Sequence, residues 1–139
     1  MPIFGAIGIA STGATAYRKW LDAVSDNIAN VSTARRTDEE AFRARYIEAA
    51  ANEYGAAGQP GVGAGVRVNA VRFGNAEGRL VHDPEHPLAD ENGMIRMPDI
   101  DLADQMTQLI AAQRGYQANL AVVERARDAY AQALQIGRR

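Results

Sequence analysis

The stretch from Ile3 to Val31 decides the fold. It sets Ile3, Ile7, Ala10, Ala14, Tyr17, Leu21, Val24, Ile28 and Val31 at alternating steps of four and three, with no polar interruption before Ser32-Thr33. That is heptad spacing, the mark of helices that wind around partners in a left-handed sense. A second run repeats it: Leu102, Met106, Leu109, Gln113, Tyr116, Leu120, Val123, Arg127, Tyr130 and Leu134, ending near Gly137. Its polar members are Gln113 and Arg127. A polar group in an apolar seam fixes register or partner choice at a cost in stability, although an arginine there can also pack its stem and send its head to water. One such run describes an ordinary amphipathic helix. Two, one at each end of the chain, point to helices that share their seams.

The flanking residues agree. Pro98, Asp99, Asp101 and Asp104 supply a start and negative charge for the second helix, while Arg125, Arg127, Arg138 and Arg139 lie toward its C-terminal half, where the helix dipole favours cations. Gly5, Gly8 and Gly13 weaken the first helix, each by about 1 kcal/mol against alanine, so its first half is expected to order when something packs on it. Helices over 3–31 and 102–136 would be about 44 and 52 Å long. A compact globule of this chain length is only about 35–40 Å across. The expectation is an elongated subunit.

The middle changes character. Phe42, Ala44 and Tyr46 alternate with Arg43 and Arg45, and Val66, Val68 and Ala70 with Arg67 and Asn69, which predicts short half-buried strands. A helix over Glu40–Ala51 is the rival reading, favoured by Ala49–Ala51. Gly55, Gly58, Pro60, Gly61, Gly63 and Gly65 read as a flexible loop, and Asp83-Pro84, His86-Pro87 and Asn92-Gly93 as turns, with a short strand over Met94–Met97. The predicted class is mainly α with a small β-rich middle. The segments are an N-terminal helix over 1–33, a middle over 34–97 and a C-terminal helix over 98–139, with the two helices forming one discontinuous coiled-coil domain.

Composition restricts what this chain can do. Of its 139 residues, 27 are alanine, and Leu, Ile, Val and Phe together number only 28. That is little material for a core but ample for close helix contact. No apolar run approaches the roughly 18 residues that span a bilayer. Zero cysteines exclude disulfides and thiolate zinc ligands. The balance of 15 basic against 17 acidic residues carries no nucleic-acid footprint. The only histidines, His82 and His86, lie in a turn with Pro84 and Pro87 rather than on the helical face that zinc spacing needs. The glycine-rich stretch lacks the lysine and following helix of a phosphate loop. No catalytic, cofactor or metal site is expected. A hydrolase built on His82, Glu85 and His86 is the weakest reading, and a soluble coiled-coil adaptor is the alternative to a structural subunit.

One resemblance spans most of the chain. Ser25-Asp26-Asn27-Ile28-Ala29-Asn30-Val31-Ser32-Thr33 resembles the Asn-Ile-Ala-Asn-x-x-Thr signature near the N-terminus of bacterial flagellar rod and hook proteins. The opening Met1-Pro2-Ile3-Phe4 and the small residues through Ala16 match that setting. Met106–Arg114, Gly115-Tyr116-Gln117-Ala118-Asn119 and Ala133-Leu134-Gln135-Ile136-Gly137-Arg138 resemble the family's C-terminal helix. Asp83–Asp90, Asn92-Gly93-Met94 and Pro98-Asp99-Ile100 are similar to the short subunits of the proximal rod, and Gly65-Val66-Arg67-Val68 fits as well. Asp26 and Ser32 replace asparagines common in the signature, and Glu40-Ala41-Phe42 stands where Gly-Pro-Tyr is frequent. The resemblance implies terminal helices paired as an α-helical coiled coil, in a subunit of a tubular rod. It implies export through the flagellar type III apparatus without a cleaved signal, a periplasmic place in the basal body, and torque transmission rather than catalysis. The implied partners are copies of itself, other rod subunits, the export apparatus and membrane-ring components, with no nucleic acid and no lipid insertion.

Overall fold

The computed structural model describes residues 2–52 and 64–137, with side chains from Gly5 onward. The predicted loop residues Gly55, Gly58, Pro60, Gly61 and Gly63, the side chain of Ile3, and Arg138 and Arg139 lie outside the described residues. The elements are α1 (Pro2–Asn30), β1 (Arg45–Ala51), β2 (Val66–Phe73), β3 (Arg79–His82), β4 (Met94–Met97) and α2 (Leu102–Ile136). Two helices and two small two-stranded sheets, β1-β2 and β3-β4, make up the fold. By its internal contacts the chain divides into unit 1, comprising Met1–Leu21, Glu48–Ala70 and Ala111–Arg139, and unit 2, comprising Asp22–Ile47 and Val71–Ile110.

Both helices stop where side chains satisfy their end groups. At the end of α1 the Asn30 amide donates back to the Asp26 carbonyl (2.8 Å), and the Thr33 hydroxyl donates to Asn30 Oδ1 (3.2 Å). At the start of α2, Asp101 Oδ1 accepts the N–H groups of Ala103 (2.8 Å) and Asp104 (3.3 Å). Of the three aspartates expected there, Asp101 is the cap.

The first expected strand is displaced. Phe42–Ala44 is not part of β1, which starts at Arg45 and runs through Ala51, so the helical alternative over Glu40–Ala51 does not form. Pairing with β2 overrides the helix propensity of Ala49–Ala51. Gly74 N–H donates to Ala44 O (2.7 Å) and Asn52 N–H to Gly65 O (2.9 Å), joining opposite ends of the two strands, which therefore run antiparallel. The strands predicted around Val66–Ala70 and Met94–Met97 are β2 and β4. Strand β3, antiparallel to β4 with Leu80 opposite Arg96, is too short to leave a periodic signal.

In unit 1 the buried positions are mostly alanine: Ala10, Ala14, Ala16 and Ala112. The Thr12 hydroxyl donates to the Ile9 carbonyl (2.7 Å) and accepts the N–H of Val66 (3.0 Å), tying α1 to the start of β2. Gly65 there has φ +85°, and a Cβ on it would collide with Thr12 Oγ1.

In unit 2 the core holds Ala23, Val24, Ala41, Ala44, Ile95 and Ile100. Arg96 pairs by backbone with Arg35, and its guanidinium donates to the carbonyls of Thr37 (2.6 Å) and Glu77. The turn before β4 hangs on Asp90. Its Oδ1 accepts the N–H groups of Asn92 and Met94, each at 2.9 Å, and its Oδ2 accepts the Thr37 hydroxyl at 3.1 Å. The Met94 N–H, reinforced by Asn92 and Thr37, holds this carboxyl below its ordinary range. A depressed carboxyl contributes stability above its unfolded value and loses it as pH falls through its folded one. Asp90→Ala is therefore expected to destabilise the protein at neutral pH. In urea titrations at a series of pH values, its gap to the parent should shrink below about pH 4.

Candidate functional site

The surfaces that this fold can offer are helix seams. In unit 1, α1 and α2 meet through two reciprocal contacts. The Tyr17 ring occupies the place where a Cβ on Gly115 would be, and the Asn119 carboxamide lies where a Cβ on Gly13 would be (2.5 Å). Each helix thus puts a large side chain into a glycine gap of the other. As α1 is followed forward, its partners step backward along α2, so the helices run antiparallel. Asn119 is held for this role by its own helix, donating to the Gly115 carbonyl at 2.8 Å. Beyond these contacts α2 continues to Ile136. Leu134 and Ile136 are accordingly 54% and 76% exposed.

In unit 2 the seam is polar at its centre. Asn27 is 0% exposed, and every hydrogen-bonding group of its carboxamide is used. Oδ1 accepts the Arg45 N–H (2.8 Å), while Nδ2 donates to the Arg45 carbonyl (3.0 Å) and to Gln105 Oε1 (2.9 Å). The side chain thereby pairs with the first residue of β1 as a neighbouring strand would, and also holds the first turns of α2. Gln105 is itself only 2% exposed. The adjacent ion pair of Arg45 with Asp26 (2.8 Å) is half-exposed and contributes little by comparison.

The predicted α1 positions face inward: Ala10, Ala14 and Val24 are buried, and Ile7, Tyr17, Leu21, Ile28 and Val31 are half-buried. On α2 the inward residues include Leu109, Tyr116 and Val123, which were predicted, all half-buried. Between them come Gln105, Ala112, Asn119 and Ala126, each one position before the expected Met106, Gln113, Leu120 and Arg127. Those four are exposed within a single copy, as are Leu102, Tyr130 and Leu134. The inward positions go to the small Ala112 and Ala126 and to the hydrogen-bonded Gln105 and Asn119, and this turns the neighbouring α2 residues outward. Of the motif residues, Ser25, Ala29 and Ala118 are exposed, Asn30 and Thr33 build the α1 cap, and Asn119 enters the seam.

The sequence marks Asn27 only as part of the family signature and gives no sign of its partner Gln105, which heptad counting skips. Read from sequence, Gly13 is only a weak point in a helix, whereas here the glycine makes room for Asn119. His86 Nδ1 accepts the Leu88 N–H (3.1 Å), and His82 is exposed. Among the described residues no group of His, Cys, Asp and Glu could hold a metal ion, and no helix is long and apolar enough to cross a membrane.

The amino-acid sequence matches a family of known proteins. Residues 91–136 match the model of the flagellar basal body rod FlgEFG protein C-terminal region. The chain is 35% identical to flagellar basal-body rod protein FlgC of Borreliella burgdorferi over 149 aligned residues, covering 98% of each chain. It is 31% identical to FlgC of Salmonella typhimurium over 99% of each chain. FlgC of Bacillus subtilis is 25% identical over 99% of this chain and all of that one. Nothing in these matches favours the adaptor or hydrolase readings.

Two substitutions probe the seams. Asn27→Ala leaves the buried Gln105 Oε1 and the part-buried Arg45 N–H and carbonyl without their partner, and should lower unfolding stability by about 2–3 kcal/mol in urea titration. Gly115→Ala drives a methyl into Tyr17 and should cost about 1–3 kcal/mol.

Proposed function

Since the chain belongs to the FlgC family of flagellar basal-body rod proteins, we propose that its two helices pair as a coiled coil whose uncovered flanks are completed by neighbouring rod subunits. The protein is a structural subunit of the bacterial flagellar basal-body rod and assembles with other rod components. The observation that carries this reading is the near full-length match, joined to an α2 surface that one copy leaves open. Leu102, Met106, Ile110, Leu120 and Leu134 are each 40% or more exposed, and Ile136 more so. Covering such surface yields about 25 cal/mol per Å², and this drives assembly.

Glycine supports the same reading. A Cβ built on Gly5 or Gly8 meets nothing within 4 Å, so neither glycine serves contacts inside one copy. Each weakens α1 by about 1 kcal/mol against alanine. They leave room for a neighbour's helix, whose packing offsets their cost to α1. Residues 1–33 and 98–139 then act as one discontinuous coiled-coil domain, with 34–97 between them. Ile7, Tyr17, Leu21, Ile28, Val31, Leu109 and Val123 pack the helices, while Met106, Leu120, Tyr130 and Leu134 meet other subunits. Gln113 and Arg127, on the outer flank, set partner register.

In this reading the subunit lies in the proximal rod, in the periplasm, and forms part of the wall of the export channel and the torque path. It reaches that place unfolded through the flagellar export apparatus, without a cleaved signal, and meets the membrane-ring components there. Its work is mechanical and not catalytic. Deletion of the gene, followed by imaging of purified basal bodies, is expected to show rods missing and motility lost. Intact rods would refute the reading. Re-expression of a Gly5→Ala/Gly8→Ala variant should give a more helical isolated chain by circular dichroism but fewer complete rods than the parent.

A further inference from the structure

The division of charge between the two units is lopsided. Unit 1 carries eight Arg and Lys against four Asp and Glu, and unit 2 carries seven against thirteen, giving formal charges of +4 and −6 within a chain of net −2. The excess in each is exposed. On unit 1, Arg18, Lys19, Arg114, Arg125 and Arg127 point to solvent, and none of them has an ion pair among the described residues. On unit 2, Asp38, Glu39, Glu40 and Glu77 line a cleft of about 260 Å³ beside Thr37 and Arg96. Among the described residues, Asp38 alone of these four has a cationic partner, an exposed Arg36 at 3.4 Å. Three of the seven cations of unit 2 are engaged elsewhere. Arg45 pairs with Asp26, Arg96 donates to backbone carbonyls, and Arg43 lies 5.3 Å from the centre of the Phe73 ring.

We propose that the acidic cleft of unit 2 docks the Arg18-Lys19 surface of unit 1 from a second copy of this chain. The proposal rests on the rod-subunit reading and gives its contacts a polarity. A two-fold contact through either unit would oppose charges of like sign, +4 against +4 or −6 against −6. Unlike units attract, and a contact between different faces of identical chains is head-to-tail. Such contacts continue into rings or helical filaments instead of closing on a dimer. Charge complementarity of this kind sets orientation and encounter rate and suppresses wrong pairings.

The test uses the purified full chain in sedimentation velocity. Raising salt from about 0.01 M to about 1 M shortens the Debye length from about 30 Å to about 3 Å and should weaken self-association about tenfold or more. Glu39→Lys/Glu40→Lys and Arg18→Glu/Lys19→Glu should each fail to associate alone, and a mixture of the two should recover association. All four positions are exposed, and unchanged circular dichroism confirms folding. Association that ignores salt and survives either reversal would overturn the proposal, as would a parent chain that stays monomeric at every ionic strength. In both cases the rod-subunit reading is judged separately, by whether the parent chain restores rods to basal bodies of the deletion strain.

Discussion

A single carboxamide, that of Asn27, holds three elements at once. It sits near the end of a long helix, fully enclosed, and matches both backbone groups of Arg45 while also reaching Gln105. A buried amide is expensive unless all its groups are paired, and here they are. The consequence is positional. Strand β1 begins at the residue that Asn27 engages, and Gln105 sits in the first turns of α2, just beyond the Asp101 cap. An apolar residue at this point would pack, but it would pair with nothing and leave the first strand without a fixed start.

Around that node the molecule is built from small residues. Among the described residues, Ala10, Ala14, Ala16, Ala23, Ala41, Ala44 and Ala112 are seven of the ten buried hydrophobic side chains. Glycines at 13 and 115 let a side chain of each helix lie against the backbone of the other. An alanine-rich chain with only 28 Leu, Ile, Val and Phe residues cannot fill a broad core, but it can bring helices very close and leave its larger apolar residues outside. In a structural subunit of a rod, that surplus is the surface proposed above for neighbouring subunits.

How much of this was legible depended on the physics behind each signal. Both helices were readable because few structures besides a long helix with one buried stripe sustain a heptad repeat over about thirty residues. On α1 the larger heptad residues from Ile7 to Val31 are half-buried or buried, so there the bulky residue and the inward one coincide. The α2 seam was misread by one position at every second step, because counting rewards the bulkier residue, Leu120 over Asn119 or Met106 over Gln105. The interface instead selected the residue that lets the helices approach or that completes a polar network. β1 was displaced for a related reason. Period-two alternation at Phe42–Tyr46 describes local preference, whereas the start of the strand is set by Asn27, 18 residues earlier. Family motifs marked Asn27 and Asn119 as notable, but only the three-dimensional contacts say what each touches.

If Asn27 holds the start of β1, native-state hydrogen exchange at the backbone amide of Arg45 measures it directly. In the parent chain that amide should exchange only through opening as costly as that of the sheet's interior. In Asn27→Ala it should exchange at the rate of an open loop, while amides in the middle of α2 keep their protection. An Arg45 amide that exchanges freely in the parent, or that is indifferent to the substitution, would contradict this role for Asn27.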